Sequence, residues 1–173
     1  MVAYPDPASA FNDALSEVIH LMETRQLATA LERLDGLPSV EQSRLEVLIL
    51  RCEIFLGLED WHRASILGEA LAKVDPRNPA HWVHWAYATR RDTSLAEAER
   101  ILREAYELHP TNATIAFNLA CYCAQSQRLE ESLAWLRRAV EQEARYAVAA
   151  RNDPDLAPLR EWLPPGHAIW NAE

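Results

Sequence analysis

Side-chain size recurs in this sequence every 34 residues, and that register constrains the fold more than any other feature. Ala30, Ala64, Ala98 and Ser132 are all small, while Leu27, Trp61, Leu95 and Leu129 are all large and apolar. Val18, Cys52, Ala86 and Ala120 are modest in size, and Leu37, Leu71, Ala105 and Ala139 are apolar throughout. Four ungapped columns read as four copies of one structural unit. Within a unit, residues 81–88 and 95–108 carry apolar side chains at three- and four-residue spacing, joined by the charged link Arg90-Arg91-Asp92-Thr93. Residues 116–123 and 129–140 repeat this, with Gln125-Ser126-Gln127 between them. Pro76 and Pro110 end the second helix of their units, because proline cannot continue one. The spacing predicts helix hairpins over 11–44, 45–78, 79–112 and 113–146, after an N-terminal tail (1–10) and before a capping helix and tail (147–173). A single hairpin cannot cover its own apolar face, whereas stacked hairpins share one core.

Composition narrows the class further. The 173 residues suit one domain, and four glycines leave little room for phosphate-cradling loops or the many tight turns of a β-sandwich. Seventeen basic against 26 acidic residues give a formal charge of −9, which disfavours nucleic acid and anionic membranes as general partners. Lys73 is the sole lysine among those basic residues, the mark of a GC-rich, bacterial codon bias. Cys52, Cys121 and Cys123 make no disulfide framework, and on a helix Cys121 and Cys123 point about 200° apart. The start, Met1-Val-Ala-Tyr-Pro5-Asp, lacks a secretory pattern, and no run reaches the ~18 apolar residues of a membrane span. A cytoplasmic, reduced setting is the expectation.

The unit resembles a tetratricopeptide repeat (TPR). Trp82-x-x-Trp85-Ala86-x-x-Thr89, then Ala98-x-x-x-Leu102 and Pro110, follow the family pattern at matching spacings. Ala116, Leu119, Ala120, Cys123, Ser132, Leu136 and Ala139 keep the spacing without the Trp and Pro. In the copy before, Trp61, Ala64 and Pro76 fit, whereas Arg51 and Gly68 stand where the family has large apolar residues. The first copy, Ala14 to Leu37, departs furthest, and Pro38 shortens its second helix. The resemblance implies an all-α, right-handed superhelical solenoid of about four hairpins plus a C-terminal capping helix. Asn118-Leu-Ala-Cys-Tyr-Cys123 with Asn152-Asp-Pro-Asp-Leu-Ala-Pro-Leu159 resembles the terminal module of stand-alone bacterial repeat proteins. As a cap, residues 146–151 form one more helix, Asp153 caps a turn at Pro154, and a helix from Pro158 ends at Pro164-Pro165. Leu156, Leu159, Trp162 and Leu163 then cover the last repeat, and Gly166–Glu173 stays loose unless Trp170 docks.

No catalytic constellation is present: no Gly-rich loop, no activated Ser or Cys turn, no CxxC. An enzyme is therefore not expected, and neither is a cofactor. His81-x-x-His84 share a helix face but show no third metal ligand, and read as polar edges flanking Trp82 and Trp85. The cysteines read as small core residues, and the Glu/Arg runs as solvated helix faces.

In the family, the first helix of each hairpin lines a concave groove. The resemblance therefore places Leu15, Ile49, Val83 and Phe117, then Ile19, Glu53, Tyr87 and Cys121, along it, flanked by His84, Arg90, Arg91, Asn118 and Gln125. This stripe lacks the Lys/Arg/Asn clamp of members that hold the acidic tails of heat-shock chaperones. It suits a protein or peptide segment with apolar anchors and an acidic residue for Arg90 or Arg91. A non-catalytic adaptor or scaffold is the resulting expectation. The alternatives are a self-assembling structural element, whose mass depends on concentration, or a secretion-type chaperone. The repeat register itself predicts that Ala98→Trp forces two helices apart and lowers stability by about 1–3 kcal/mol or more, measured by urea unfolding.

Overall fold

The computed structural model describes residues 7–170, with side-chain surroundings from Ser9 onward. Among these residues there are helices and turns and no strand. Four helix pairs follow one another: α1 (Pro7–Glu23) with α2 (Leu27–Asp35), α4 (Leu45–Gly57) with α5 (Trp61–Val74), α6 (Pro79–Asp92) with α7 (Leu95–Leu108), and α8 (Ala113–Gln125) with α9 (Leu129–Gln142). The short α3 (Ser39–Gln42) lies between the first two pairs. The end is α10 (Arg145–Asn152), a 3-10 turn (Pro154–Leu156), α11 (Ala157–Trp162) and a 3-10 turn (Ala168–Trp170). No described helix is long and apolar enough to cross a membrane.

The helix bounds differ from the sequence expectation at two places, and the alternative left open for the C-terminus is decided. Helix α1 already begins at Pro7, inside the stretch assigned to the tail; residues 1–6 lie outside the described residues. Arg90, Arg91 and Asp92 are helical, so the link between α6 and α7 shrinks to Thr93 and Ser94. At the other end Ile169 is buried and Trp170 packs against the core, so the segment through Trp170 docks; Asn171–Glu173 lie outside the described residues.

The same local chemistry builds every pair. The turn between paired helices closes with one backbone hydrogen bond, repeated at 34-residue steps. Gln26 N–H donates to Leu21 O (2.8 Å), Asp60 to Phe55 (2.9 Å), Ser94 to Thr89 (3.1 Å) and Arg128 to Cys123 (2.9 Å). This six-to-one bond is the Schellman closure, and it asks for a left-handed residue just past the helix. Arg25, Glu59 and Gln127 adopt it, with φ of 61°, 58° and 59°, whereas Thr93 in the third turn keeps φ −121°. The next helix starts on a side-chain cap where one is available: Asp60 accepts from Arg63 N–H, and Ser94 from Glu97 N–H. Between pairs, Asn78 and Asn112, also 34 apart, cap α6 and α8 after Pro76 and Pro110.

The small columns sit where the helices meet. Ala30, Ala64, Ala98 and Ser132 are fully buried, as are Val18, Cys52, Ala86 and Ala120. Ser132 keeps its hydroxyl satisfied by donating to Ala120 O (2.7 Å). The core runs in two main clusters, one over the first hairpin and α4 and a larger one from Ala72 to Ile169. Between them Gly68 of α5 packs on α6 so closely that a Cβ there would lie 2.8 Å from Trp85 Cα. Its departure from the family pattern is thus a close backbone approach. Arg51, the other departure, pairs with Asp35 of α2.

A charge network ties α7 to α9. Nearly buried Glu99 accepts from Arg103 (2.8 Å) and from Arg128, and both arginines also pair with Glu131. Leu156, Leu159 and Leu163 cover the end of the last repeat, whereas Trp162, expected to join them, is 47% exposed. Gly68→Ala is expected to lose on the order of 1–2 kcal/mol in urea unfolding. That loss would come despite the ~1 kcal/mol that alanine's helix propensity adds. Gly68→Leu, the family-like residue, is expected to lose more.

Candidate functional site: the face of the first helices

Helices α1, α4, α6 and α8 touch their neighbours in series and make one face. The stripe expected from the 34-residue register divides there into an open part and a covered part. Leu15, Ile49, Glu53, Val83 and His84 are half-buried, Ile19 is 45% exposed and Tyr87 40%, and Arg91 is exposed. Phe117 and Cys121, by contrast, are core residues. The cause is the C-terminal module. Tyr146 of α10 stacks on Phe117 with ring centroids 4.7 Å apart, and its hydroxyl bonds Thr114 Oγ1 at 2.6 Å.

The flanking polar residues divide in the same way. Both carboxylate oxygens of Asp155, in the turn before α11, are held by Arg90, one of them at 2.8 Å. Gln125 Nε2 donates to Asp155 O (2.8 Å), and Asp153 caps the same turn by accepting from Asp155 N–H. Arg160 then donates to Ala150 O and Asp153 O. Arg90 and Gln125 therefore hold the chain's own cap, and the carboxylate expected for Arg90 comes from Asp155. Asn118 spends its amide on Thr114 O one turn back.

At the open end an aromatic cluster appears that the repeat register does not announce. Trp61, at the start of α5, meets Tyr87 edge-on at 5.9 Å. The Arg91 guanidinium lies 3.6 Å from the Tyr87 ring centroid and 5.0 Å from that of Trp61, and it donates to Tyr87 O. Such stacking holds a cation in place without a carboxylate. A small cleft of about 270 Å³ opens between the starts of α6 and α8, lined by Pro79, Ala80, Val83, His84, Asn112 and Thr114.

Burial governs the histidines of α6 and the cysteines. It lowers the pKa of both His84 and His81, so both imidazoles are neutral near pH 7. His81 is buried, with Nε2 3.2 Å from Asn78 Nδ2, while His84 lines the cleft. Burial pushes the Cys52 and Cys123 thiols up to about 12 and Cys121 well above its ordinary value, which leaves all three unreactive at neutral pH. Among the described residues, two groups bring three ligand-type atoms within 4.8 Å: Glu99–Cys123–Glu131 and Cys121–Asp153–Asp155. In the first, Arg103 and Arg128 hold the carboxylates; in the second, Arg90 holds Asp155. Guanidinium groups thus already supply the positive charge that a metal would bring.

Glu53 stands apart. It is half-buried, and among the described residues its carboxylate has no hydrogen bond and no ion pair. Burial raises its pKa with no cation to offset it. A carboxyl whose folded pKa is raised stabilises the fold below its unfolded value, and that contribution is lost as pH rises through the folded one. Glu53→Gln is therefore expected to be more stable than wild type at pH 7, with the gain shrinking as pH falls to about 4, as read by thermal unfolding across that range.

Comparison with known proteins places this geometry. A scan of protein-family models finds no match. Protein O-mannosyl-transferase Tmtc1 of Drosophila melanogaster is 32% identical over 110 residues, 62% of this chain. The chain spans 13% of that protein's length. A thermophilic TPR protein of Thermus thermophilus superposes with a TM-score of 0.68 at 18% identity, over 88% of this chain and 82% of that one. YrrB, described as a TPR protein with an unusual peptide-binding site, superposes with a TM-score of 0.62 at 17% identity, over 94% and 96% of the two chains. With the four equivalent turns and the buried small columns, these likenesses give the chain the tetratricopeptide-repeat fold.

Proposed function

We propose that this chain is a non-catalytic protein- or peptide-binding adaptor, and that it binds through the open part of the first-helix face. The observation that carries the reading is the exposure of large apolar and aromatic side chains in one register, Ile19 on α1 and Tyr87 on α6, where a monomer gains nothing by leaving them wet. Leu15, Ile49 and Val83 extend the stripe, and Arg91, His84 and Glu53 give it polar edges. The likeness to YrrB supports peptide binding as a use of this architecture. Phe117, Cys121, Arg90 and Gln125 are not part of the proposed contact, since the cap occupies them. A cytoplasmic, bacterial setting belongs to the same proposal, and three unreactive buried thiols are compatible with it. Self-assembly through the same face is the rival reading.

Affinity capture with immobilised chain, run beside Ile19→Glu/Tyr87→Glu, separates these. Both residues are exposed, so the double variant is expected to keep wild-type circular dichroism and to lose its retained protein by tenfold or more. Ile66→Glu, at an exposed site on α5, serves as the control and is expected to bind as wild type. Retention that survives the double variant would remove the face from the account. A sedimentation mass that rises with concentration in wild type, and not in the double variant, would favour self-assembly.

A further inference from the structure

Glu53 is an unexplained residue on an otherwise apolar stretch of the face. It occupies the register position of Ile19 and Tyr87, one repeat from each, with Ile49 one turn before it on α4. The first and third repeats fill that position with an apolar and an aromatic group, and the fourth with Cys121. A carboxylate half-removed from water is a cost unless something pairs with it.

Nothing in the described chain does so, whereas three other carboxylates of residues 7–57 are paired. Glu17 meets Arg33 at 2.6 Å, Glu46 meets Arg44 at 3.3 Å, and Asp35 meets Arg51. Three arginines of α4 and α6 have partners of their own: Arg51 has Asp35, Arg91 the Tyr87 ring and carbonyl, and Arg90 Asp155. The surrounding field has the same sign as Glu53, because residues 7–57 carry eight carboxylates against four arginines. Such a field draws cations toward this end of the face and repels acidic segments.

We propose that Glu53 receives the ammonium or guanidinium group of a partner lysine or arginine, so that the face reads a basic–apolar segment. This rests on the binding use of the face proposed above. The basic side chain lies over α4, with apolar side chains to either side on the Ile19 and Val83–Tyr87 ends. An acidic segment, the partner suggested by Arg90 and Arg91 in the sequence, finds Arg90 occupied and meets Glu53 unpaired.

The test is selection of random 12-residue peptides, displayed on phage, against the full chain, against Glu53→Gln and against Glu53→Arg. Circular dichroism verifies the fold of each variant. Wild type is expected to enrich peptides with Lys or Arg among apolar residues, and Glu53→Arg to enrich Asp or Glu instead. The best wild-type peptide, synthesised and titrated, is expected to bind Glu53→Gln at least tenfold more weakly, and to bind Ile19→Glu weakly as well. Peptides without a basic residue, or equal binding to wild type and Glu53→Gln, would overturn the role of Glu53. If Ile19→Glu still abolished that binding, the face itself would stand. Binding untouched by either substitution, or no enrichment on a folded chain, would overturn both.

Discussion

Close approach of helix backbones through small side chains is the constraint on which the rest of this structure depends. Ala30, Ala64, Ala98 and Ser132 lie fully buried at the crossing inside each pair, and Gly68 performs the same service between α5 and α6. Dispersion and burial reward such contact only when the two surfaces interlock, so one extra methyl group at these points is felt as strain. Because the spacing of these residues is constant, each pair presents the same surface to the next. The stack then follows from repetition, and the same backbone hydrogen bond closes the turn of each pair.

The C-terminal module ends this repetition and also selects which part of the first-helix face remains available. Leu156, Leu159 and Leu163 bury the apolar end that a fifth hairpin would otherwise cover. In doing so the module places Tyr146 on Phe117 and Asp155 on Arg90, so the α8 end of the face becomes core. A bidentate arginine–carboxylate pair, joined by a side-chain bond to the Asp155 carbonyl, is a fixed attachment rather than a loose surface contact. What stays open lies over α1, α4 and the middle of α6.

Charge is distributed unevenly over the two surfaces. The second helices carry a network in which Glu99 and Glu131 share Arg103 and Arg128. The open face holds fewer charges, and they are treated differently: Arg91 is stacked on aromatic rings, and Glu53 is left without a partner. Pairing inside the fold stabilises it; an unpaired group on an apolar face is informative about what the fold meets.

What recurs in the 34-residue register was legible in the sequence. The hairpin unit, the prolines that end it, the small columns and the capping role of Asp153 through Leu163 follow from local conformational preference and from periodic burial, which leave a regular trace in residue type. Side chains that meet outside this register left none. Arg90 and Asp155 are 65 residues apart, and nothing in their spacing marks them as a pair; the same holds for Trp61, Tyr87 and Arg91. The sequence by itself therefore determined that this chain is a stack of helical hairpins closed by a cap. Only the tertiary structure decided how the cap folds back, which converted Phe117 and Cys121 from candidate contacts into core and left Ile19, Glu53 and Tyr87 facing outward. The physical reason is that burial at a given position is set by what packs over it, and that element can come from anywhere in the chain.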